Sequence, residues 1–114
     1  MNKSLIALSA SMLLGLGMGS ANAAEGKAAA QELGCTACHA AQNKLVGPSY
    51  QAVSERYGGD KAEILSIIKD NVKNGASGNW TDVTGGTPMP PQPNAVGKTD
   101  KLNAIADWVA GMAE

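Results

Sequence analysis

The chain has 114 residues, a formal net charge of −1, two cysteines and a single histidine. That length allows one domain. No basic stretch stands out, which excludes the electrostatic footprint of a nucleic-acid or anionic-membrane binder.

Residues 1–23 read as a secretory signal peptide. Lys3 is the lone charge of a short n-region, Leu5 to Met18 is an apolar and small-residue run, and Ala21-Asn22-Ala23 is a small-x-small cleavage site. The competing reading is a transmembrane anchor, but the run is short and glycine-rich, and a span needs about 20 apolar residues. No cysteine follows the cleavage site to carry a bacterial lipid anchor, and nothing later is apolar enough to span. The expected mature domain is therefore 24–114, soluble and exported. Losing Lys3 takes its net charge from −1 to −2.

The first helix is predicted from about Glu25 to Leu33, an alanine-rich stretch that Gly34 ends. Both cysteines and the only histidine follow at once, in Cys35-Thr36-Ala37-Cys38-His39. C-x-x-C-H is the spacing that attaches a c-type haem. Each thiol forms a thioether to one vinyl group, and the imidazole is then held against the iron as proximal ligand. Three other readings stand beside it. A thioredoxin-like dithiol also uses C-x-x-C, but that fold alternates strands with helices, and this chain has almost no strand pattern. A Cys35–Cys38 disulfide would close a tiny loop and remove little unfolded-state entropy. A zinc site needs a fourth ligand, and no Cys or His remains to supply one. In bacteria c-type haem is attached outside the cytoplasmic membrane, so the leader and the motif agree.

The second helix is predicted from about Ser49 to Tyr57, starting after Pro48 and stopping at Gly58-Gly59. Tyr50, Val53 and Tyr57 share one face of it. The third has Asp60 as N-cap with Glu63 three residues on, then an apolar stripe of Ile64, Leu65, Ile67, Ile68 and Val72, and Gly75 as C-cap. From Gly75 to Lys98 the chain reads as irregular and holds every proline but Pro48. A loop this long in a small domain is usually functional or disordered; covering the second haem face is the job available. Met89 sits there between Pro88 and Pro90-Pro91, whose fixed backbone angles reduce the freedom lost on ordering. It is the expected second axial ligand. Met112, the other methionine of the mature domain, fits the apolar face of the last helix as core filler. A thioether favours ferrous iron, so a His39/Met89 pair raises the potential and leaves outer-sphere electron transfer as the natural activity. The fourth helix begins after Thr99, read as its N-cap, with Asp100 in the first turn. Leu102, Ile105, Ala106, Val109 and Met112 repeat at helical spacing.

Four segments in this order resemble the class I c-type cytochromes, most closely the small bacterial c-551 group. They are Gly34-Cys35-Thr36-Ala37-Cys38-His39-Ala40, Lys44-Leu45-Val46-Gly47-Pro48-Ser49-Tyr50, Lys73-Asn74-Gly75 leading to Trp80, and Pro88-Met89-Pro90-Pro91. The resemblance implies an all-α single-domain fold, about four helices and a long methionine-bearing loop around one covalent haem c. It implies that Pro48 presents its carbonyl to the His39 N–H, which orients the ring. It implies that Trp80 donates its indole N–H to a haem propionate. Arg56 could neutralise a propionate, although an exposed arginine at a helix end is commoner. Trp108 is expected to pack near Gly34, where the last helix crosses the first.

Two features depart from the group. An asparagine near the ligand methionine is expected, and here Gln92 and Asn94 both compete for that place. Thr81 to Thr87 is also longer than in the group. The function expected is that of a periplasmic monohaem electron carrier in a respiratory chain, not an enzyme. It would be monomeric, with redox proteins as partners and no nucleic acid. Electrons would pass at a haem edge lined by Ala40, Val46 and the Pro88 to Pro93 loop. The alternative is an exported thiol–disulfide oxidoreductase using Cys35 and Cys38.

Overall fold

The computed structural model describes residues 23–113. All of the expected signal peptide but Ala23 lies outside the described residues. Helix α1 occupies residues 23–32. Gly34, with φ of 80°, turns the chain into a single 3-10 turn, Cys35–Ala37. Four more helices follow: α2 (Tyr50–Arg56), α3 (Lys61–Asn74), α4 (Thr81–Thr84) and α5 (Thr99–Ala110). Among the described residues β-pairing is limited to two isolated bridges, His39 with Lys44 and Ala76 with Met89.

The helix ends follow from local chemistry. The Ser49 hydroxyl accepts from the Ala52 N–H at 3.1 Å and caps α2. The Asp60 carboxylate accepts from the Glu63 N–H at 3.2 Å and caps α3, which ends at Gly75 with φ of 76°. Helices α1 and α2 match the sequence reading to within one or two residues at each end, and two further features differ from it. The N-cap of α5 is Lys98, without a side-chain cap bond, and Thr99 is its first helical residue. Gly97, at φ of 81°, reverses the chain one residue earlier than the threonine signal suggests. The stretch after Gly75 is also not wholly irregular: Thr81–Thr84 makes one helical turn, ended by Gly85 in the left-handed region.

The core forms where α5 lies against α3 and α2. Leu102, Ile105, Ala106 and Val109 of α5 are buried with Ile64 and Val72 of α3 and Ala29, Ala30 and Leu33 near the start. The buried Ser54 hydroxyl donates to the Ala110 carbonyl at 3.3 Å, tying α2 to the end of α5. The Lys61–Asp107 ion pair, at 3.1 Å, links α3 to α5, but both side chains are about half exposed and such pairs contribute about 0–1 kcal/mol.

Trp108 is placed differently from the expectation. It lies over Gly26, not Gly34: a Cβ on Gly26 would stand 2.3 Å from the Trp108 Cβ and 2.6 Å from the Ala104 carbonyl oxygen, whereas one on Gly34 meets nothing within 4 Å. Helix α1 crosses α5 at the position that lacks a side chain. Gly26→Ala should therefore force the two helices apart and cost about 2–3 kcal/mol, the upper range for overpacking. Urea unfolding should show a lower midpoint with an unchanged slope.

Candidate functional site

The 3-10 turn presents Cys35 and Cys38 as half-buried, unbonded thiols and hands the chain to His39. Backbone bonds then fold the next loop back on the motif. The Gly47 N–H donates to the Cys38 carbonyl at 2.9 Å, and the Tyr50 N–H to the Ala40 carbonyl at 2.9 Å. That return brings the Pro48 carbonyl to 2.8 Å from His39 Nδ1. A carbonyl only accepts, so Nδ1 carries a proton, and in the neutral ring Nε2 keeps its lone pair for a metal.

Two neighbours confine the imidazole further. Tyr50 lies against it with ring centroids 5.5 Å apart and planes 28° from parallel, and Trp108 backs Tyr50 at 5.0 Å. Burial pushes the Tyr50 hydroxyl well above its ordinary range, with the two thiols adding, so the ring's neighbour stays uncharged. On its other approach, Gly47 is closed to any side chain. A Cβ there would sit 2.6 Å from His39 Cε1 and 3.0 Å from Nδ1. Nothing local in the sequence marks the confining role of Gly47 or the Tyr50 stacking, since both depend on the loop folding back over His39.

Met89 stands at the far end of the long loop, half-buried against the core. Its N–H donates to the Ala76 carbonyl at 2.8 Å, and the Ala76 N–H returns a bond to Met89 at 3.0 Å. The Gln92 N–H then donates to the Val72 carbonyl of α3 at 2.7 Å. Gly75 lies against this segment, since a Cβ on it would stand 2.8 Å from the Met89 carbonyl oxygen. The side-chain amides beyond the methionine both serve the backbone: Asn94 donates to the Leu33 carbonyl at 3.0 Å and Gln92 to the Pro90 carbonyl at 3.0 Å. Asn94 thereby fastens the methionine loop to the end of α1, a role the sequence did not suggest.

Trp80 is half-buried at the start of α4, and the Arg56 guanidinium lies over its indole, 4.3 Å from the ring centroid. Arg56 also donates to the Asn79 carbonyl. Ala40 is half-buried, while Val46 and its neighbour Leu45 are each 50% exposed.

The donor set fits haem c. Two thiols, an imidazole with a free Nε2 and a loop-held thioether are the groups that such a cofactor uses. The Cys35 thiol is poorly suited to lead a disulfide exchange. Burial raises the Cys35 thiol, with Cys38 adding and a backbone hydrogen bond opposing, whereas a nucleophilic dithiol needs its leading thiol pushed down.

Comparison with known proteins agrees. The sequence model of the family described as Cytochrome c matches residues 23–113. Cytochrome c-551 of Azotobacter vinelandii is 42% identical over 76 residues, covering 67% of this chain and 83% of that protein. Cytochrome c-552 of Hydrogenobacter thermophilus is 37% identical over 81 residues, covering 70% and 74%. Among solved structures, wild-type cytochrome c552 of Nitrosomonas europaea aligns with a TM-score of 0.61 at 31% identity, over 75% of this chain and 98% of that one. With the family pattern matched from 23 to 113 on a helical fold, the chain belongs to the cytochrome c family: it is a monohaem electron carrier, not an enzyme, and its cofactor is covalently bound haem c.

Proposed function

We propose that the chain is a soluble periplasmic shuttle that passes single electrons between redox proteins by outer-sphere transfer. Cys35 and Cys38 would hold haem c through thioethers, and His39 Nε2 and the Met89 sulfur would ligate its iron. When bound, haem c supplies an iron that takes up and gives up one electron. The chain's own residues keep that change small. Pro48 accepts from His39 Nδ1 and fixes the ring's tautomer and tilt. Tyr50 blocks its rotation. The Ala76–Met89 pairing holds the thioether segment in register. Trp80 directs its indole N–H to a propionate. The observation that carries this reading is the Pro48–His39 bond, because in the neutral imidazole it places the proton on Nδ1 and leaves Nε2 as the ligating nitrogen, oriented by the backbone.

Export rests on the sequence of residues 1–23. The family match begins at residue 23, beside the proposed cleavage point, and among the described residues no helix is long and apolar enough to cross a membrane. The mature unit would then be 24–114, monomeric and placed in a respiratory chain.

Leu45, Val46, Ala40 and the exposed prolines from Pro88 to Pro93 make the docking patch at the haem edge. Small, apolar contacts suit brief encounters. Val46→Glu should slow reduction by a natural donor at least fivefold, since a carboxylate must be desolvated on docking. The visible spectrum should not change. Stopped-flow traces identical to wild type would remove Val46 from the patch.

A further inference from the structure

Residues 77–88 form a loop that is closed at its neck and almost free elsewhere. The neck is the two-bond pairing of Ala76 with Met89. Within the loop, Gly78, Gly85 and Gly86 all have positive φ, and a Cβ on any of them meets nothing within 4 Å. Helix α4 is a single turn whose N-cap, Trp80, makes no side-chain cap bond. Met89 packs against the buried core, but the half-buried Trp80 and Val83 do not reach it. The loop's other hydrogen bonds stay inside it: Val83 and Thr84 bond back to Trp80, Gly85 to Thr81, Thr87 to Thr84, and the Gly86 N–H to the Thr84 hydroxyl. Among the described residues, one hydrogen bond leaves segment 77–88, from the Arg56 guanidinium to the Asn79 carbonyl. The same guanidinium covers the Trp80 ring at 4.3 Å. Arg56 itself is well founded, in the last turn of α2, which the buried Ser54 fastens to α5.

We propose that Arg56 is a positioning residue for the axial thioether: beside the proposed Trp80–propionate bond, it tethers the start of α4 in the methionine loop to α2 and so limits how often Met89 leaves the iron. The inference rests on Met89 being the ligand. Loops with few anchors open locally well below the cost of global unfolding. A charge-assisted hydrogen bond plus a cation–π contact, even at an exposed site, is enough to shift such an opening equilibrium by up to about tenfold.

The test uses ferric holoprotein and added imidazole, which binds iron only after Met89 has left. Bleaching of the far-red sulfur-to-iron band reads the rate. Arg56→Ala should accelerate it about tenfold. Arg56→Lys, which keeps the charge and a donor but loses the planar fork, should fall near threefold; should the alanine variant fail to fold, the lysine variant is read alone. Ile105→Val loosens the core on α5, outside the loop and without touching Arg56's contacts, and serves as the stability control. It should leave the rate near wild type at matched unfolding midpoint. Equal acceleration in Ile105→Val, or none in the arginine variants, overturns the tether while the ligand reading stands. A wild-type protein with no far-red band removes Met89 as ligand and the tether with it.

Discussion

Met89→Ala should abolish the far-red sulfur-to-iron band and lower the reduction potential by at least ~100 mV, equivalent to roughly 2.3 kcal/mol for one electron. The sign follows from softness. A thioether stabilises ferrous iron more than ferric, so its loss favours the oxidised state. The fold should survive, because the Ala76 pairing and the Gln92–Val72 bond use the backbone of the segment and not the sulfur. Redox titration with parallel circular dichroism separates the two effects. A variant that keeps both the band and the potential would take Met89 out of the coordination sphere.

Gly47→Ala should damage the opposite face. Its Cβ would stand 2.6 Å from His39 Cε1, in a ring already fixed by Pro48 and Tyr50. The imidazole cannot move away without losing the Nδ1 hydrogen bond. Overpacking and that lost bond together should cost about 2–3 kcal/mol, a fall in Tm on the order of 10 °C or more for a domain this size. Gly34→Ala is the informative contrast. Its Cβ has open space, and its penalty is confined to φ of 80°, about 1 kcal/mol. Both variants should be less stable, but only Gly47→Ala should change the low-spin spectrum of the iron. Equal spectra in the two would mean that Gly47 does not confine the imidazole.

The parts of this protein that sequence makes plain are those whose causes are local. Asp60 with Glu63, the stripe from Ile64 to Val72 and the terminal Gly75 announce α3, because cap and periodicity act within a few residues. The Cys35 to His39 motif is legible because its chemistry requires adjacency. Helix α4 was not legible, since Thr81–Thr84 is too short to show a period and its stop signal, Gly85, sits in a run already rich in glycine. The partner of Trp108 is hidden from the sequence for a different reason. Gly26 and Gly34 lie at opposite ends of the first helical stretch, and only the three-dimensional crossing tells which one yields space and which one supplies a left-handed turn. Likewise, Tyr50 reads as one member of an apolar helix face. Its contact with His39 exists because the chain reverses through the Gly47–Cys38 bond. The link from Arg56 to Asn79 spans 23 residues, and no pattern in the sequence pairs them.

Intact-mass spectrometry of denatured protein from its native compartment, with thiol alkylation, tests covalent attachment most directly. A single species carrying the mass of one haem, with Cys35 and Cys38 both unreactive, is expected. A chain at its bare polypeptide mass, with two alkylatable thiols or a Cys35–Cys38 disulfide, would contradict the assignment of these residues to the cofactor.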